Sequence, residues 1–500
     1  MDKLKDLRNQ IDSLDEEIMA KIAARLKLMP LVKQEKNRLG LAVTDEKREQ
    51  EILAKTKQFE HPEAIGAIYT EIIRQSKAVQ SSTGLVGKRL SYSYSLKIHQ
   101  AFGNPDYRLW ETDDLGDFIA NRQLTGVNIT IPYKVQATKF AQSLSPIVRK
   151  TKITNVLTWE NGELRADNVD YLAFLEMTDY FQIGFCNEKV LILGNGATAQ
   201  TVYWAVKDRG AQTVQKLGRT IHEETDDLLS NIAKYRDFTV IVNTIPFGVH
   251  PELQTEFLVS FDSFSCPKVF IDVNYNPYRS AFLQAGGKLK SIFPNLKLIN
   301  GLYMLVAGGR LTEEIWQKQA IVFPKTLDVA KKIHFQQINI VLIGLPFSGK
   351  TTLGKALAYT LNKTFYDSDE ILEQNKQSIH DLPTIEAFRE HEREVIAMLA
   401  QKQNSVIATG GGVVENEENI VRLAQNGIIV LLKIPFDLLS GRIDETRPLA
   451  DTKEKLQALA QKREKMYRKF ADIVIENPHN ILKETVDKIN EYLNHQWAES

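Results

Sequence analysis

Residues 344–351, which read GLPFSGKT, constrain the fold of this chain more than any other segment. They follow a largely apolar run, residues 338–343, and precede a helical pattern over residues 353–361. Glycines let successive backbone N–H groups point at a polyphosphate, and the N-terminus of the helix adds partial positive charge. The lysine and threonine that end the segment suit a phosphate and a Mg²⁺ ion. The segment therefore predicts a nucleotide-binding domain that begins near residue 336.

Length and charge limit what the rest of the chain can be. A chain of 500 residues suggests about three domains. With 63 basic and 63 acidic residues, no net field attracts nucleic acid or a membrane, so we expect small-molecule partners. The two cysteines, Cys186 and Cys266, do not suggest a disulfide framework, and no apolar run approaches the ~20 residues of a membrane span. We expect a cytoplasmic protein.

Residues 1–81 carry a helical pattern with unusual cations. Two further helical stretches, at about residues 45–56 and 62–80, follow a long first helix, and arginines and lysines fall at or near its buried side. One interpretation is a solvated, salt-bridged coiled-coil arm. The apolar stripe of the first helix comprises Leu4, Leu7, Ile11, Leu14, Ile18 and Ile22.

The whole of this stretch resembles the all-helical chorismate mutases. The resemblance implies that Lys36 and Gln80 face the breaking ether oxygen of the substrate, while arginines hold its carboxylates. A pericyclic rearrangement needs a folded substrate and well-placed cations, and no nucleophile. The alternative, a dimerising or effector-binding arm, stays open. The matching positions are Arg8, Arg25, Lys36, Asp45, Arg48, Glu49, Ser76 and Gln80.

Helix geometry predicts a homodimer. Arg8 and Arg25 are 17 positions apart on one helix, which is about 25 Å, too far to meet around one small substrate. Arg25 and Lys36, about three turns apart, share a face. We therefore expect Arg8 to act in the site of a partner chain and the apolar stripe to be buried by that pairing.

Residues 84–335 alternate strand and helix patterns, and four short motifs stand out: SYSYS at 91–95, GVNITIPYK at 126–134, Asn155, and NVD at 168–170. Together they resemble the substrate lobe of shikimate dehydrogenases. The resemblance implies that Lys134 and Asp170 form the catalytic pair, since ketone reduction by hydride transfer needs a proton donor. The substrate contacts that it implies are Ser93, Ser95, Thr130, Asn155 and Tyr275.

A dinucleotide-binding pattern occupies residues 189–199, KVLILGNGATA, which read as a strand, a glycine turn and a helix. Arg219 ends the second strand, where NADP enzymes place an arginine. Gly308 replaces a glutamine that normally touches substrate in the family, so a dehydrogenase with an altered substrate remains an alternative. The expected cofactor positions are Gly194, Asn195, Gly196, Ala197, Thr198, Arg219, Thr220 and Gly301.

Motifs after the phosphate-binding loop resemble shikimate kinase to the end of the chain: FYDSD at 365–369, FREHE at 388–392, GGG at 410–412, RPL at 447–449 and KR at 462–463. A small-molecule kinase with another acceptor is the alternative, but this set suits a hydroxylated carboxylate. The expected nucleotide positions are Gly344, Phe347, Ser348, Gly349, Lys350, Thr351 and Thr352.

The shikimate kinase resemblance also implies roles for individual side chains. Asp369 accepts a hydrogen bond from the reacting hydroxyl, and Arg389 and Arg463 clamp the substrate carboxylate. Glu392 pairs with an arginine, and Arg447 belongs to a lid that closes over the phosphates. Further implied contacts are Gly411 and Gly412 to substrate, and Thr351 and Asp367 to Mg²⁺.

The chain is thus expected to have three domains. These are an all-α domain of residues 1–81, a two-lobed α/β dehydrogenase of residues 84–335, and an α/β P-loop kinase with a parallel sheet over residues 336–500. Within the dehydrogenase we expect a substrate lobe at about 84–185, a Rossmann-like NADP lobe at about 186–300, and C-terminal helices that return to the substrate lobe.

The resemblances imply a multifunctional enzyme of aromatic amino-acid biosynthesis. Its activities are 3-dehydroshikimate reduction with NADPH, shikimate phosphorylation with ATP and Mg²⁺, and rearrangement of chorismate to prephenate.

Overall fold

The architecture is that of a computed structural model, which describes residues 2–38, 46–80, 83–122, 124–160, 162–221, 225–375, 382, 384–443, 449–476 and 481–498. The chain divides into two units. One comprises Met1–Asn168 and Thr312–Gln319, and the other comprises Val169–Leu311 and Ala320–Ser500. Within the described ranges, no helix has both the length and the apolar character that crossing a membrane requires.

Three helices begin the first unit, and the longest exposes an apolar stripe. Five leucine and isoleucine side chains at three- and four-residue steps expose between 48% and 58% of their surface. A helix normally buries such a stripe against a neighbour. The five are Leu4, Leu7, Ile11, Leu14 and Ile18. The helices are α1 (Asp2–Arg38), α2 (Glu46–Thr56) and α3 (Pro62–Gln80).

Among its described residues, the remainder of the first unit has a mixed sheet, three short α-helices and a 3₁₀-helix at Gln136–Phe140. The strands are β1 (Thr83–Gly87), β2 (Arg108–Glu111), β3 (Gly126–Ile129), β4 (Ser143–Leu144), β5 (Val156–Glu160) and β6 (Glu163–Asp167). The helices are α4 (Ser95–Ala101), α5 (Leu115–Ala120) and α6 (Pro146–Thr151). The strand order is β2-β1-β3-β5-β6-β4. β1 pairs in parallel with β2 and β3, whereas β5 is antiparallel to both of its neighbours.

The second unit begins with a parallel sheet of the Rossmann type. Its order is β12-β11-β10-β7-β8-β9, so the direction of winding reverses beside β7, where dinucleotides bind in such folds. The strands are β7 (Lys189–Leu193), β8 (Thr213–Gly218), β9 (Asp227–Leu228), β10 (Val240–Asn243), β11 (Val269–Asp272) and β12 (Lys297–Asn300). The helices are α7 (Val169–Tyr180), α8 (Ala197–Asp208), α9 (Ala281–Lys288) and α10 (Leu302–Gln317), and α10 belongs to the first unit from Thr312 onward.

A second parallel sheet follows, in the order β14-β15-β13-β16-β17. Its central strands β13 and β16 are buried along their whole length and are apolar except for Asn339 at the start of β13, as expected when helices cover both faces. The strands are β13 (Asn339–Ile343), β14 (Thr364–Asp367), β15 (Ser405–Ala408), β16 (Gly427–Leu432) and β17 (Ile473–Ile475). The helices are α11 (Phe323–Gln337), α12 (Lys350–Leu361), α13 (Ser368–Gln374), α14 (Ile385–Ala400), α15 (Glu417–Gln425), α16 (Phe436–Ser440), α17 (Lys453–Phe470) and α18 (Ile481–Ala498). The predicted fold class, helical, then two-lobed α/β, then P-loop α/β, is confirmed.

A buried polar cluster in the first unit joins the end of α10 to the mixed sheet. His99 Nδ1 lies 2.6 Å from Glu313 Oε1, and both side chains are almost fully buried. Asn104 donates a second hydrogen bond to the same oxygen at 2.8 Å, and the imidazole stacks on Tyr107 at 3.7 Å. Burial lowers the pKa of His99, although the hydrogen bond to Glu313 opposes this shift.

We expect the His99→Gln variant to be about 1–3 kcal/mol less stable than the native chain at neutral pH, because Glu313 loses a buried partner. The folded chain keeps His99 neutral, so the unfolded chain binds more protons once the pH falls below the ordinary value of 6.5. This part of the native stability is present above that pH and is lost on acidification. The difference in melting temperature between the two proteins should therefore shrink from about pH 7.5 to about pH 5.5; an unchanged difference would contradict the prediction.

Candidate functional sites

The phosphate-binding loop lies between β13 and α12, as the sequence predicts. Gly344 and Gly349 have φ angles of 145° and 85°, which only glycine adopts readily. A side chain on Gly344 would also collide with the carbonyl oxygen of Leu432, 2.7 Å from the Cβ position. Lys350 is buried and donates hydrogen bonds to the carbonyls of Gly344 at 3.0 Å and Leu345 at 2.9 Å. Its ammonium group thus lies against the backbone of the loop, whose concave side is where a phosphate would bind.

The expected metal ligands lie side by side. The Thr351 hydroxyl donates to Asp367 Oδ2 at 2.6 Å, and Asp367 ends β14 next to the loop. Its other oxygen caps α13 by accepting the backbone N–H groups of Asp369 at 2.9 Å and Glu370 at 3.4 Å. A hydroxyl and a carboxylate beside a phosphate loop are the oxygen donors that Mg²⁺ prefers, so the residues fit that ion.

The glycine segment after β15 packs directly against two predicted substrate residues. A Cβ on Gly410 would lie 2.6 Å from Asp369 Oδ1, and a Cβ on Gly412 would collide with the guanidinium group of Arg389. Between them, the Gly411 carbonyl accepts a hydrogen bond from Tyr467 at 2.5 Å. Gly410 and Gly412 therefore allow the close approach of Asp369 and Arg389 to this segment.

One carboxylate joins the two predicted arginines. Arg463 Nε donates to Glu415 Oε1 at 2.7 Å, and Arg389 Nη2 lies 3.7 Å from Glu415 Oε2, as does Lys462 at 3.1 Å. Arg389 also donates to the buried Glu392 at 2.8 Å, which is the pairing expected for Glu392. The structure thus brings together Arg389 and Arg463, which are 74 positions apart in the sequence.

The acids of this cluster respond differently to burial. Partial burial would raise the pKa of Glu415, but the hydrogen bond and charge of Arg463 hold it below its ordinary value. Burial dominates for Glu392 and raises its pKa despite Arg389. Sequence reasoning missed Glu415. Its position three residues after Gly412, in the string GGGVVE, was the only signal available.

The predicted shikimate-contact residues of the first unit gather at one edge of the mixed sheet. Ser93 and Ser95 approach to 3.1 Å between their hydroxyls at the start of α4, which follows β1. Thr130 directly follows β3 and donates its N–H to the carbonyl of Val86 in β1 at 3.0 Å. Since β1 and β3 are parallel, both groups lie at the carboxyl edge, where open sheets bind ligands.

Two more predicted residues belong to the same edge. Lys134 is half-buried in a turn that follows β3, and its backbone carbonyl accepts a hydrogen bond from the N–H of Thr154 at 3.1 Å. Asn155 is buried, and its backbone carbonyl accepts a hydrogen bond from the N–H of Ile129 at 2.8 Å. Asp170 belongs to the second unit, in the first turn of α7. Its pairing with Lys134 stays a prediction.

The glycine turn after β7 has the geometry that its pattern predicts. Gly194 has a φ of 116°, and a Cβ there would collide with the Thr244 hydroxyl. Gly196 caps α8, and Ala197 and Thr198 form its first turn.

Neighbouring positions complete the expected cofactor edge of this sheet. Asn195 donates to Thr225 Oγ1 at 3.0 Å, and Arg219 and Thr220 are exposed just after β8. Gly301 follows β12, where a Cβ would collide with the carbonyl of Val273.

Tyr275 lies on a loop that a buried acid organises. Asp272, at the end of β11, accepts hydrogen bonds from Ser280 at 2.5 Å, Asn243 at 3.0 Å and the N–H of Asn274 at 3.0 Å. Burial raises the pKa of Asp272 to about 6, although these hydrogen bonds favour its ionised form. Sequence reasoning assigned Asp272 no role. The available signal was a polar residue ending each of two adjacent buried strands.

Gly308 lies buried in α10. A Cβ there would meet only Ala173 and Val169 of α7, both at 3.9 Å, which is ordinary van der Waals contact. Packing at the Cβ position therefore does not require glycine here.

In the helical segment, two of the predicted positions contact each other. Arg25 of α1 is half-buried and donates a hydrogen bond to the buried Ser76 of α3. Arg8 is exposed, and Arg48, also exposed, pairs with Glu51 at 2.9 Å.

Several other predicted residues can be placed only in part. Glu49 is half-buried on α2. Lys36 and Gln80 lie on α1 and α3, but their side chains are outside the described part of the chain. Asp45 and Arg447 lie outside the described residues altogether.

Comparison with known proteins identifies three segments. The family model for chorismate mutase type II matches residues 7–81, and that for shikimate kinase matches residues 346–494. The shikimate kinase of Chromobacterium violaceum is 43% identical over 147 residues, covering 28% of this chain and 80% of that protein. The NADP(+) shikimate dehydrogenase of Clostridium beijerinckii is 29% identical over 252 residues, covering 47% of this chain and 91% of that protein.

A solved structure described as a chorismate mutase/shikimate 5-dehydrogenase fusion protein from Clostridium acetobutylicum is 27% identical. It has a TM-score of 0.47 and covers 51% of this chain and 97% of that one.

The predicted combination of three families is confirmed, and each acts on small molecules. The chain belongs to the shikimate kinase family through its C-terminal segment, which it joins to a shikimate dehydrogenase segment and a chorismate mutase type II segment in one multifunctional enzyme.

Proposed function

We propose that this chain reduces 3-dehydroshikimate to shikimate with NADPH, phosphorylates the shikimate with ATP, and separately rearranges chorismate to prephenate. The observation that carries the proposal is the cluster of Asp369, Arg389 and Arg463 at the same sheet edge as the phosphate-binding loop. The first two reactions are consecutive, since the product of one is the acceptor of the next. Separate assays of the three reactions on the purified chain test the proposal.

In the kinase, phosphoryl transfer depends on position and charge rather than on a covalent intermediate. Asp369 accepts a hydrogen bond from the attacking hydroxyl, beside the glycine segment that admits the substrate. Lys350 exchanges the loop carbonyls of Gly344 and Leu345 for phosphate oxygens. Thr351 and Asp367 would hold Mg²⁺, which when bound neutralises charge on the phosphates.

The arginines of the kinase select a carboxylate-bearing acceptor. Arg389 is only loosely paired with Glu415 at 3.7 Å, and its guanidinium group lies against Gly412. Arg463 is buried and bonded to the same acid. A planar guanidinium binds a carboxylate through two parallel hydrogen bonds. Gly411 and Gly412 leave space for the ring. Arg447 completes the site from the lid that the sequence predicts.

In the dehydrogenase, Lys134 donates the proton that the nascent alkoxide requires, and Asp170 supports the charge of the lysine. NADPH supplies the hydride when bound. The exposed Arg219 recognises its 2′-phosphate, which is consistent with the NADP(+) specificity in the name of the Clostridium beijerinckii relative. The hydroxyls of Ser93, Ser95 and Thr130, with Asn155 and Tyr275, hold the substrate.

In the mutase, cations on the helices fold chorismate and stabilise charge on its ether oxygen. Arg25, oriented by Ser76, and Lys36 serve one site, and Arg8 serves the site of a second copy of the chain. The exposed stripe of α1 supports this homodimer, because pairing of two copies would bury it.

The expected domain limits, residues 1–81, 84–335 and 336–500, complete the proposal. Cys186 and Cys266 are both exposed and free of disulfides, which supports a cytoplasmic setting.

The kinase assignment predicts that Lys350→Met abolishes ATP-dependent shikimate phosphorylation and leaves shikimate oxidation with NADP unchanged. The matched control is Lys355→Met on the same helix, an exposed lysine paired with Glu370 at 2.9 Å, which should keep both activities. Equal loss of both activities in Lys350→Met would contradict the separation of the two sites.

The dehydrogenase assignment predicts different effects for two cations. Lys134→Ala should lower the turnover number by about 10²–10⁴-fold and leave the KM for NADP nearly unchanged, because a proton donor acts on the reacting oxygen. Arg219→Ala should instead raise the KM for NADPH far more than that for NADH. Lys139→Ala, an exposed lysine of the same segment, is the control. Equal weakening of NADPH and NADH by Arg219→Ala would show that Arg219 does not contact the 2′-phosphate.

The shared-site mutase predicts complementation between inactive chains. Arg8→Ala and Arg25→Ala should each lack mutase activity, whereas Lys21→Ala, an exposed position of the same helix, should retain it. When the two inactive chains are mixed and exchange subunits, about half of the dimers are hybrids with one intact site, so roughly a quarter of native activity should return. No recovery despite hybrids detected by native mass spectrometry would rule out sharing. A fully active monomer would rule out the dimer requirement.

A further inference from the structure

The kinase segment contacts the NADP-binding lobe through the sheet edge opposite to its own active site. Gln403 and Gln425 lie two positions before β15 and β16, and Asp472 directly precedes β17. These positions mark the amino edge of the parallel sheet, whereas the phosphate-binding loop and the glycine segment follow the carboxyl ends of β13 and β15. The contact therefore leaves the kinase site accessible.

On the other side, the contact uses the loops at the carboxyl edge of the dehydrogenase sheet. After β10, the His250 ring lies 3.1 Å from the carbonyl of Gln401, and the Gln254 carbonyl accepts a hydrogen bond from Gln425. After β11, Asn276 accepts a hydrogen bond from Gln403 at 3.1 Å. This is the edge of the Rossmann sheet at which cofactor and substrate are expected to bind.

The strongest contact is an ion pair between Arg279 and Asp472. Arg279 donates from Nη1 and Nη2 to the two carboxylate oxygens at 3.1 Å and 2.9 Å, and its side chain is only one-quarter exposed. Tyr492 of α18 accepts from Arg279 at 2.6 Å and donates to Asp472 at 2.9 Å. Asp472 also accepts the N–H of Ile429 in β16 at 2.8 Å. Asp472 thus forms hydrogen bonds both to its own sheet and to the dehydrogenase loop.

The loop held in this way carries Tyr275. At its start, Asp272 binds the N–H of Asn274 within the lobe. Beyond Tyr275, the kinase segment holds the Asn276 side chain through Gln403, and the Arg279 N–H donates to the carbonyl of Gln425 at 2.8 Å. The lobe fixes one side of Tyr275, and the kinase segment fixes the other.

We propose that the kinase segment positions the substrate loop of the dehydrogenase, with Arg279 and Asp472 as positioning residues for shikimate binding. This inference rests on the proposed dehydrogenase function and on the assignment of Tyr275 to the substrate. The kinase segment is then a structural part of the dehydrogenase site through Asp472, whose side chain contacts neither substrate nor cofactor.

The test compares Arg279→Ala, Asp472→Asn and the double variant in the full chain. Each single variant should raise the dehydrogenase KM for shikimate by roughly 5- to 50-fold, because displacement of a site by about 1 Å can cost about 100-fold. The KM for NADP and both kinase KM values should stay within about twofold. The double variant should be no worse than either single one, since both remove the same pair. Asp472→Asn keeps an acceptor for the Ile429 N–H, so the kinase sheet should remain folded.

A matched control is Lys268→Ala, which removes the ion pair of an exposed lysine with Glu188 on the same lobe and should leave every constant unchanged. Equal effects on the shikimate and NADP constants, or a loss that follows melting temperature alone, would overturn positioning in favour of a purely structural contact. Unchanged shikimate KM values in an active enzyme would overturn it outright. Shikimate oxidation by the native chain is measured first. If the native chain oxidises no shikimate, that result contradicts the proposed dehydrogenase function and not the positioning role.

Discussion

The described α/β architecture depends on parallel strands whose two faces are both covered. Such strands can present backbone groups only at their ends, so the carboxyl edge of each sheet becomes the place for loops that bind ligands. In the kinase sheet, that edge holds the phosphate-binding loop after β13, Asp367 as the last residue of β14, and the glycines after β15. The cluster of polar groups there follows from strand direction, and the buried apolar strands supply the rigidity that holds them.

Close backbone approach then selects glycine at a few positions. Gly412 lies where any side chain would displace Arg389, and Gly194 lies where one would displace Thr244. The charges nearby are arranged as a chain of alternating sign, from Glu392 to Arg389 to Glu415. Each arginine is therefore compensated before substrate arrives. The contact between Arg389 and Glu415 is the looser one, at 3.7 Å, and under the proposed function it is the contact that a substrate carboxylate would replace.

Local patterns in the sequence predicted much of this. Glycine turns after apolar runs placed both nucleotide loops, because strand, turn and helix are encoded by neighbouring residues. Partners far apart in the chain were not predictable in the same way. Glu313 pairs with His99 across 214 positions, and Glu415 reaches Arg463 across 48. Neither acid carries a local signal for its partner, since only the folded topology brings them together. The families' motifs supplied Arg389 and Arg463 but gave no reason for the acid between them.

The contact of the NADP lobe with the amino edge of the kinase sheet restricts which substitutions are possible at that edge. Without this contact, the residue directly before β17 would bond only within its own segment, as Asp472 does to the Ile429 N–H. Here Asp472 bonds both Ile429 of its own sheet and Arg279 of another enzyme's loop. A substitution at either position therefore affects the contact between the two segments. Arg279 and Asp472 should therefore change together in lineages that keep the fusion, and independently in lineages where the two enzymes are encoded apart.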